Sequence, residues 1–310
     1  MELAEKGTVV RKENIDIAKG INFRTWQQKL REYKHQPLSL LLKLLMILAM
    51  VLSVGVLILL IGYILIKGVP SLIHYFPSIF SWEYTSENVS MTPAIINTVI
   101  MTVLSLIIAV PIGLFAASYL VEYAKRGSRL VKIIRITAET LSGIPSIVYG
   151  LFGYLLFVIT LGLGYSLISG AVTLAIMILP LIIRTTEEAL LSVPDSYREG
   201  SFGLGAGRLR TVFRIVLPSA VPGILAGVIL AIGRIVGESA ALIFTAGTYA
   251  AVPDSLTDSA RTLSVHMYAL LSEGLYTEQA HAAAVVLLVL VIGINALSGF
   301  AAKKLVSKGN

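Results

Sequence analysis

Residues 184–218 read RTTEEALLSVPDSYREGSFGLGAGRLRTVFRIVLP. The first part, Thr185–Val193, has helix-forming composition and stops at Pro194, which lacks the N–H a helix interior needs. Asp195 or Ser196 is placed to cap a second short helix starting near Tyr197. That helix runs into Gly203, Gly205 and Gly207, where the backbone can turn sharply. A third helix, Leu209–Leu217, leads to Pro218. Helix, turn and helix in this order make a rigid knob that another protein can grip. The alternating glycines superficially suggest a phosphate cradle. A nucleotide loop, however, needs a preceding strand and, in the P-loop form, a Gly-Lys-Ser/Thr, and neither is present. By that route the chain binds no ATP, so energy must come from a partner.

On both sides of this segment the chain is strongly apolar. Of its 310 residues 56% are hydrophobic and 14% charged, and the mean hydropathy is +0.83. Soluble domains hold roughly 45–50% apolar and about 25% charged residues. Six stretches reach the about 20 apolar residues that a bilayer crossing requires: Leu44–Ile66, Ala94–Val121, Leu141–Leu161, Ser166–Ile183, Ala220–Phe244 and Ala282–Ala302. The third and fourth are joined by a short glycine turn at Gly162–Gly164, and no charge occurs between Glu139 and Arg184. The expected fold class is therefore an all-α polytopic membrane protein with six transmembrane helices. The first apolar run follows a long polar tail, which differs from a cleaved leader. The chain has no Cys, which excludes disulfides and thiolate metal sites.

Lys and Arg counts set the orientation. All but three of the 25 fall in the N-terminal tail, in Glu122–Glu139, in Arg184–Pro218 or in the C-terminal tail. The exceptions are Lys67 and Arg261 on the opposite side and Arg234 inside a span. Both termini are thus expected in the cytoplasm, and the formal charge of +7 marks cytoplasmic loops rather than a nucleic-acid footprint. Residues 1–43 form a tail in which Trp26, Leu30 and Tyr33 recur at helical spacing among cations, as in an amphipathic segment lying on the membrane surface. Residues 303–310 form the second tail. In the first external segment, Tyr75, Phe76, Phe80, Trp82 and Tyr84 suit either an interfacial aromatic belt or ordinary loop packing.

Two ionisable residues, Arg234 and Glu238, fall in the fifth stretch. A charge at mid-membrane costs about 2.5–3.5 kcal/mol on insertion scales and needs a partner or a water-filled cavity. Spaced i, i+4, the two would share one helix face, as an internal ion pair or as part of an anion pathway. Guanidinium suits oxyanions because its N–H fork matches two oxygens at once. Arg184, at the cytoplasmic end of the fourth stretch, is a boundary cation or an inner-gate contact. Ser219, Gly223, Gly227 and Ala231 make a stripe of small residues for close helix packing, against a partner subunit or within the chain. Pro111 and Pro180 are expected to kink their spans.

The knob carries the resemblance to a known family. ABC importer permeases have a loop reading Glu-Ala-Ala, three free residues, Gly, nine free residues, then Ile-x-Leu-Pro. Here Glu199, Gly200, Ser201, Gly205, Ile215, Leu217 and Pro218 stand in that register. Gly200 and Ser201 replace the family's alanines, and the glycine weakens the short helix by up to about 1 kcal/mol. Two longer stretches, RTTEEALLSVPDSYREGSFGLGA and AGVILAIGRIVGESAALIFTAG, resemble the phosphate-specific ABC permeases, the PstA type more than the PstC type. The likeness covers about residues 91–302. In the late signature Gly237-Glu238-Ser239-Ala240-Ala241-Leu242, Ala241 stands where the family has Pro. The resemblance implies a type I importer (MetI-like) permease fold in a bacterial or archaeal cell membrane. It implies residues 199–205 as a coupling helix docked on an ATPase, and Arg234 and Glu238 on the substrate path. It also implies a second permease of the PstC type, two ATP-binding subunits and an external phosphate-binding protein as partners, with no cofactor and no catalysis in this chain. Molybdate or sulfate would demand similar chemistry, and a secondary transporter would lack the knob.

Overall fold

A computed structural model describes residues 37–85, 87–125 and 127–307. The amphipathic segment expected around Trp26 lies outside the described residues. The chain falls into two compact units, residues 1–63 and 64–310. The described part of the first unit is helical, within α1 (Pro37–His74). Its side chains, Leu44, Leu48, Leu52 and Leu59 among them, are exposed on every side. A helix apolar all round is stable only out of water, so this one belongs in lipid or against other membrane helices.

The second unit is built from α2 (Thr92–Tyr123), α3 (Arg129–Ser142), α4 (Ser146–Thr160), α5 (Leu167–Leu191), α6 (Asp195–Gly203), α7 (Arg208–Val236), α8 (Ala240–Thr245), α9 (Leu263–Glu273) and α10 (Thr277–Ser307). Among the described residues, α1, α2, α5, α7 and α10 are long and apolar enough to cross a membrane, and α3 with α4 counts as a sixth, bent span. The six-span expectation holds in that form. The helix α5 is central and packs along both α2 and α7. Leu174, Met177, Ile178 and Ile182 of α5 are fully buried in the resulting core. Gly162 and Gly164 take left-handed φ values of 66° and 64° and make the expected turn into α5, which Ser166 caps by accepting from the Ser169 N–H.

Three expected boundaries change. The third stretch is not one straight span. Ile144 precedes Pro145, so its backbone is pushed out of the helical region, and α3 and α4 meet there at 103°. Only α4 runs on through apolar sequence, and α3 is a separate amphipathic helix. The fourth helix does not end at Arg184 but continues two turns to Leu191, absorbing the stretch read as a separate helix. The fifth helix is continuous with Leu209–Leu217, starting at Arg208, and ends at Val236, well short of Phe244.

The small-residue stripe of α7 packs within the chain. A Cβ on Gly223 would sit 2.7 Å from the Ala189 Cβ, and one on Gly227 would sit 2.1 Å from the Thr185 Oγ1. Both contacts are with α5, so the stripe sets the α5–α7 distance. In the segment between α1 and α2, Trp82 and Phe76 stay exposed, whereas the Arg261 guanidinium lies 4.5 Å above the Tyr84 ring. Packing claims that tyrosine.

Two outcomes follow. Gly227→Val is expected to pry α7 from α5 and to cost about 1–3 kcal/mol, read as a lowered thermal midpoint of the purified chain. The second concerns His266, fully buried edge-on to Tyr84. Burial, with the Arg261 cation beside it, holds its imidazole down at about 3. The folded chain therefore keeps it neutral. Below about pH 6.5, the ordinary value, the unfolded chain takes up a proton that the fold refuses, so stability drains away as pH falls toward 3. Thermal midpoints measured from pH 7 to pH 5 should fall more steeply for the wild type than for His266→Leu.

Candidate functional site

The knob is α6 and its flanks. Pro194 precedes α6 with φ −56° and ψ 137°, so Pro194, not Asp195 or Ser196, is the cap residue, and no side chain closes the cap. Asp195 is instead the first helical residue and accepts from Arg198 Nη1 at 3.2 Å. After α6 the chain reverses at Gly205, whose φ of 80° a side chain would strain. Of the family positions, Glu199, Gly200 and Gly205 are exposed. Ser201 is buried, and its Oγ lies 2.8 Å from the Thr211 Oγ1, a hydrogen bond that alanine could not make. Tyr197, Phe202 and Leu204 are exposed around it, Leu204 at 91%. Ile215 falls in a π-helical turn of α7, Val212–Val216, and Leu217 and Pro218 follow directly. A proline in a helix interior removes one hydrogen bond and crowds the preceding turn. The wider π turn placed before Pro218 lets α7 continue without a break.

Arg198 fastens α6 to the membrane helices. Its Nη2 donates to Glu122 Oε1 at 2.8 Å and to the Leu190 carbonyl at 2.9 Å. Its Nη1 donates to the Val193 carbonyl at 2.8 Å, and its Nε donates to Glu122 Oε1 at 3.1 Å. The ion pair is largely buried, with side-chain exposures of 14% and 8%. Glu122 lies in the π-helical last turn of α2, Tyr119–Tyr123. Arg208, at the far flank of the knob, sits 5.9 Å from the ring of Tyr123 in that same turn. The knob is thus tied at both flanks to the C-terminal turn of α2.

A second constellation lines a cavity of about 510 Å³ between α2, α3, α5 and α7. Pro180, Arg184, Glu187 and Glu188 of α5, Arg135 and Glu139 of α3, and Arg234 of α7 all face it. Arg184 Nε pairs with Glu188 Oε1 at 3.1 Å, both largely exposed, and Arg135 pairs with Glu187. Among the described residues no carboxylate pairs with Arg234. Arg184 and Arg234 thus share one cavity, as a common path requires.

Glu238 does not join them. The helix α7 ends at Val236, two residues after Arg234, so the shared face expected from i, i+4 spacing is lost. Glu238 lies in the break between α7 and α8, 8% exposed, and its Oε1 accepts the Ala241 N–H at 3.0 Å. Its carboxylate caps α8, and its carbonyl accepts from Ser264 Oγ at 2.5 Å. The helix breaks here at Gly237–Ser239 even though Ala241 replaces the family's proline. Arg198, Glu122, Arg135 and Glu187 escaped the sequence reading. Glu122 was the one available hint, an acid at the end of a span among cations.

An exposed knob between α5 and α7 and a charged cavity bordered by the same helices mark a multi-helix membrane component. Residues 109–308 match the family of binding-protein-dependent transport system inner membrane components, and the chain belongs to that family. Within it, the chain is similar to the probable ABC transporter permease protein YqgI of Bacillus subtilis, 35% identical over 227 residues that cover 69% of this chain and 76% of the relative. It is also similar to the phosphate transport system permease protein PstA of Mycobacterium leprae, 36% identical over 205 residues that cover 65% and 67%. A bacterial ABC transporter involved in alginate import has a chain of the same fold, with a TM-score of 0.62, 17% identity, and coverage of 89% of this chain and 99% of that one. This likeness supports the type I importer permease fold. The chain is a multi-pass membrane subunit of a larger transport assembly, and its relatives are permeases rather than enzymes.

Breaking a buried ion pair by removing one partner costs roughly 3–5 kcal/mol. Arg198→Met should therefore loosen the knob, seen as faster proteolysis within residues 184–218 of the purified chain. Arg198→Lys should restore only part of the protection, because an ammonium cannot span Glu122 and two carbonyls as the planar fork does.

Proposed function

We propose that this chain is the transmembrane subunit of an ATP-driven inorganic phosphate importer, forming half of the translocation pathway. One observation carries the reading. The helices that hold the exposed knob, α5 and α7, are the same helices that present Arg184 and Arg234 to the cavity. Motion delivered at the knob therefore acts on the cation-lined path. Relatives named as phosphate transport permeases support phosphate as the cargo, as does the fit of guanidinium to tetrahedral oxyanions.

In this reading the assembly holds a second permease of the PstC type, two ATP-binding subunits and an extracytoplasmic phosphate-binding protein. Both termini and the knob lie in the cytoplasm, as the distribution of Lys and Arg favours. Closure of the ATPase dimer around ATP displaces α6, with Glu199, Gly200 and Gly205 on its docked face and Ser201 held from beneath by Thr211. The displacement passes into α5 and α7, and the cavity changes its access from one side of the membrane to the other. Arg234, paired with no carboxylate among the described residues, meets the anion near mid-membrane. Arg184 meets it closer to the cytoplasm. Glu238 acts as a positioning residue, holding the break that ends α7 two residues after Arg234.

ATP-dependent uptake of radiolabelled phosphate into proteoliposomes bearing the whole complex tests the reading. Arg234→Gln is expected to abolish uptake while leaving assembly with the ATPase intact. Glu238→Gln keeps an acceptor for the Ala241 N–H and should retain a measurable fraction, whereas Glu238→Ala should not. Full uptake by Arg234→Gln would overturn the assignment of that residue. Uptake of sulfate or molybdate in place of phosphate would overturn the cargo.

A further inference from the structure

Three arginines and three glutamates line the cavity, and two of the arginines are already engaged. The engagement has a pattern. Arg184, Glu187 and Glu188 stand at i, i+3 and i+4 on α5, so they share one face. Glu188 holds Arg184 from the same helix. Glu187 instead reaches across to Arg135, on the separate amphipathic helix α3. The Glu187 side chain is 12% exposed and that of Arg135 52%. A carboxylate offers a guanidinium two oxygens in a plane, the same offer a tetrahedral oxyanion makes with two of its four. Glu187 touches one corner of that guanidinium, its Oε1 against Arg135 Nη2, and so stands where one oxygen of an oxyanion in the cavity would sit.

We propose that Arg135 is a third anion-handling residue of this cavity, and that Glu187 is its resident competitor. The inference rests on the reading of the chain as an oxyanion permease. The anion passes from Arg234, paired with no carboxylate among the described residues, to arginines that must first give up their glutamates. Arg135, half exposed, can turn to a new partner, while Glu187, largely buried, keeps a strong pull toward its cation. That pull keeps the anion from resting on Arg135, since Glu187 returns when the anion leaves. The pair has a second consequence. It ties α3 to α5, and α3 leads through the 103° bend into α4. Anion on Arg135 releases α3 from α5 at the cytoplasmic end of the cavity.

Equilibrium binding of radiolabelled inorganic phosphate to the purified membrane complex, without nucleotide and without the soluble binding protein, tests the idea. Glu187→Gln removes the competitor, so the complex should bind phosphate about tenfold tighter, a gain of about 1.4 kcal/mol. Its ATP-dependent uptake should slow, because release is impeded. Arg135→Gln in the same background should return the affinity to the wild-type value, and Arg135→Lys should keep most of the gain. Unchanged affinity in Glu187→Gln, or a gain that survives Arg135→Gln, would overturn the proposal. A wild-type complex that takes up no phosphate would instead overturn the function on which it rests.

Discussion

The guanidinium of Arg198 is where the knob end of this protein is held together. The last carbonyls of a helix have no partner within it. Arg198 takes the Leu190 and Val193 carbonyls at the end of α5 with two of its N–H groups and gives others to Glu122 of α2. Because Arg198 itself belongs to α6, three helices converge on one planar group. Such a group tolerates little independent movement of its partners, since its donors are fixed relative to one another. A push on α6 therefore reaches α2 and α5 together. Arg208 over Tyr123 brings the start of α7 to the same turn. The knob acts as a handle on the bundle, not as a loop hung from it.

A handle moves a bundle only if the helices have places to bend. Those places have identifiable causes. The turn of α2 that carries Glu122 is π-helical, as is the turn of α7 before Pro218. In both, the widened winding sits at the junction between the knob's attachments and the membrane-spanning part. The 103° corner between α3 and α4 follows from Ile144 preceding Pro145. The break after Val236 is held by the Glu238 carboxylate on α8 and by Ser264 on the Glu238 carbonyl. Between these joints the contact of α5 with α7 is close, because Gly223 and Gly227 leave no space for side chains. Stiff contacts separated by defined joints convert a local displacement into a change of access.

The sequence disclosed the spans because lipid imposes one severe rule, about 20 apolar residues for each crossing, and this chain obeys it. It disclosed the knob because Pro194 and Gly205 punctuate a helical pattern. It did not disclose which face each charge takes. Arg234 and Glu238 are four apart, which implies a shared face only in an unbroken helix, and no proline marks the break at Gly237–Ser239. Arg198 and Glu122 are 76 residues apart and belong to no common pattern, so only folding brings them together. The stripe at Gly223 and Gly227 signalled close packing correctly but carried no information on the partner. Arg135 read as one more cytoplasmic cation because the corner at Pro145, which turns α3 alongside α5, was hidden within an apolar run.

On the proposed function, the charges around the cavity let one helix serve both drive and cargo. A site of arginines alone would hold an oxyanion too firmly to release it, since charge-assisted hydrogen bonds in a sheltered site are strong. Equal numbers of arginine and glutamate remove that net attraction while leaving each guanidinium able to change partners. Two of the three glutamates, Glu187 and Glu188, lie on the last two turns of α5, and the end of that helix is what Arg198 caps. Displacement of α6 therefore moves Glu187 and Glu188 relative to arginines on other helices, above all Arg135. The stroke need not push the anion. It need only change which acid faces which guanidinium, and the anion leaves when its place is taken.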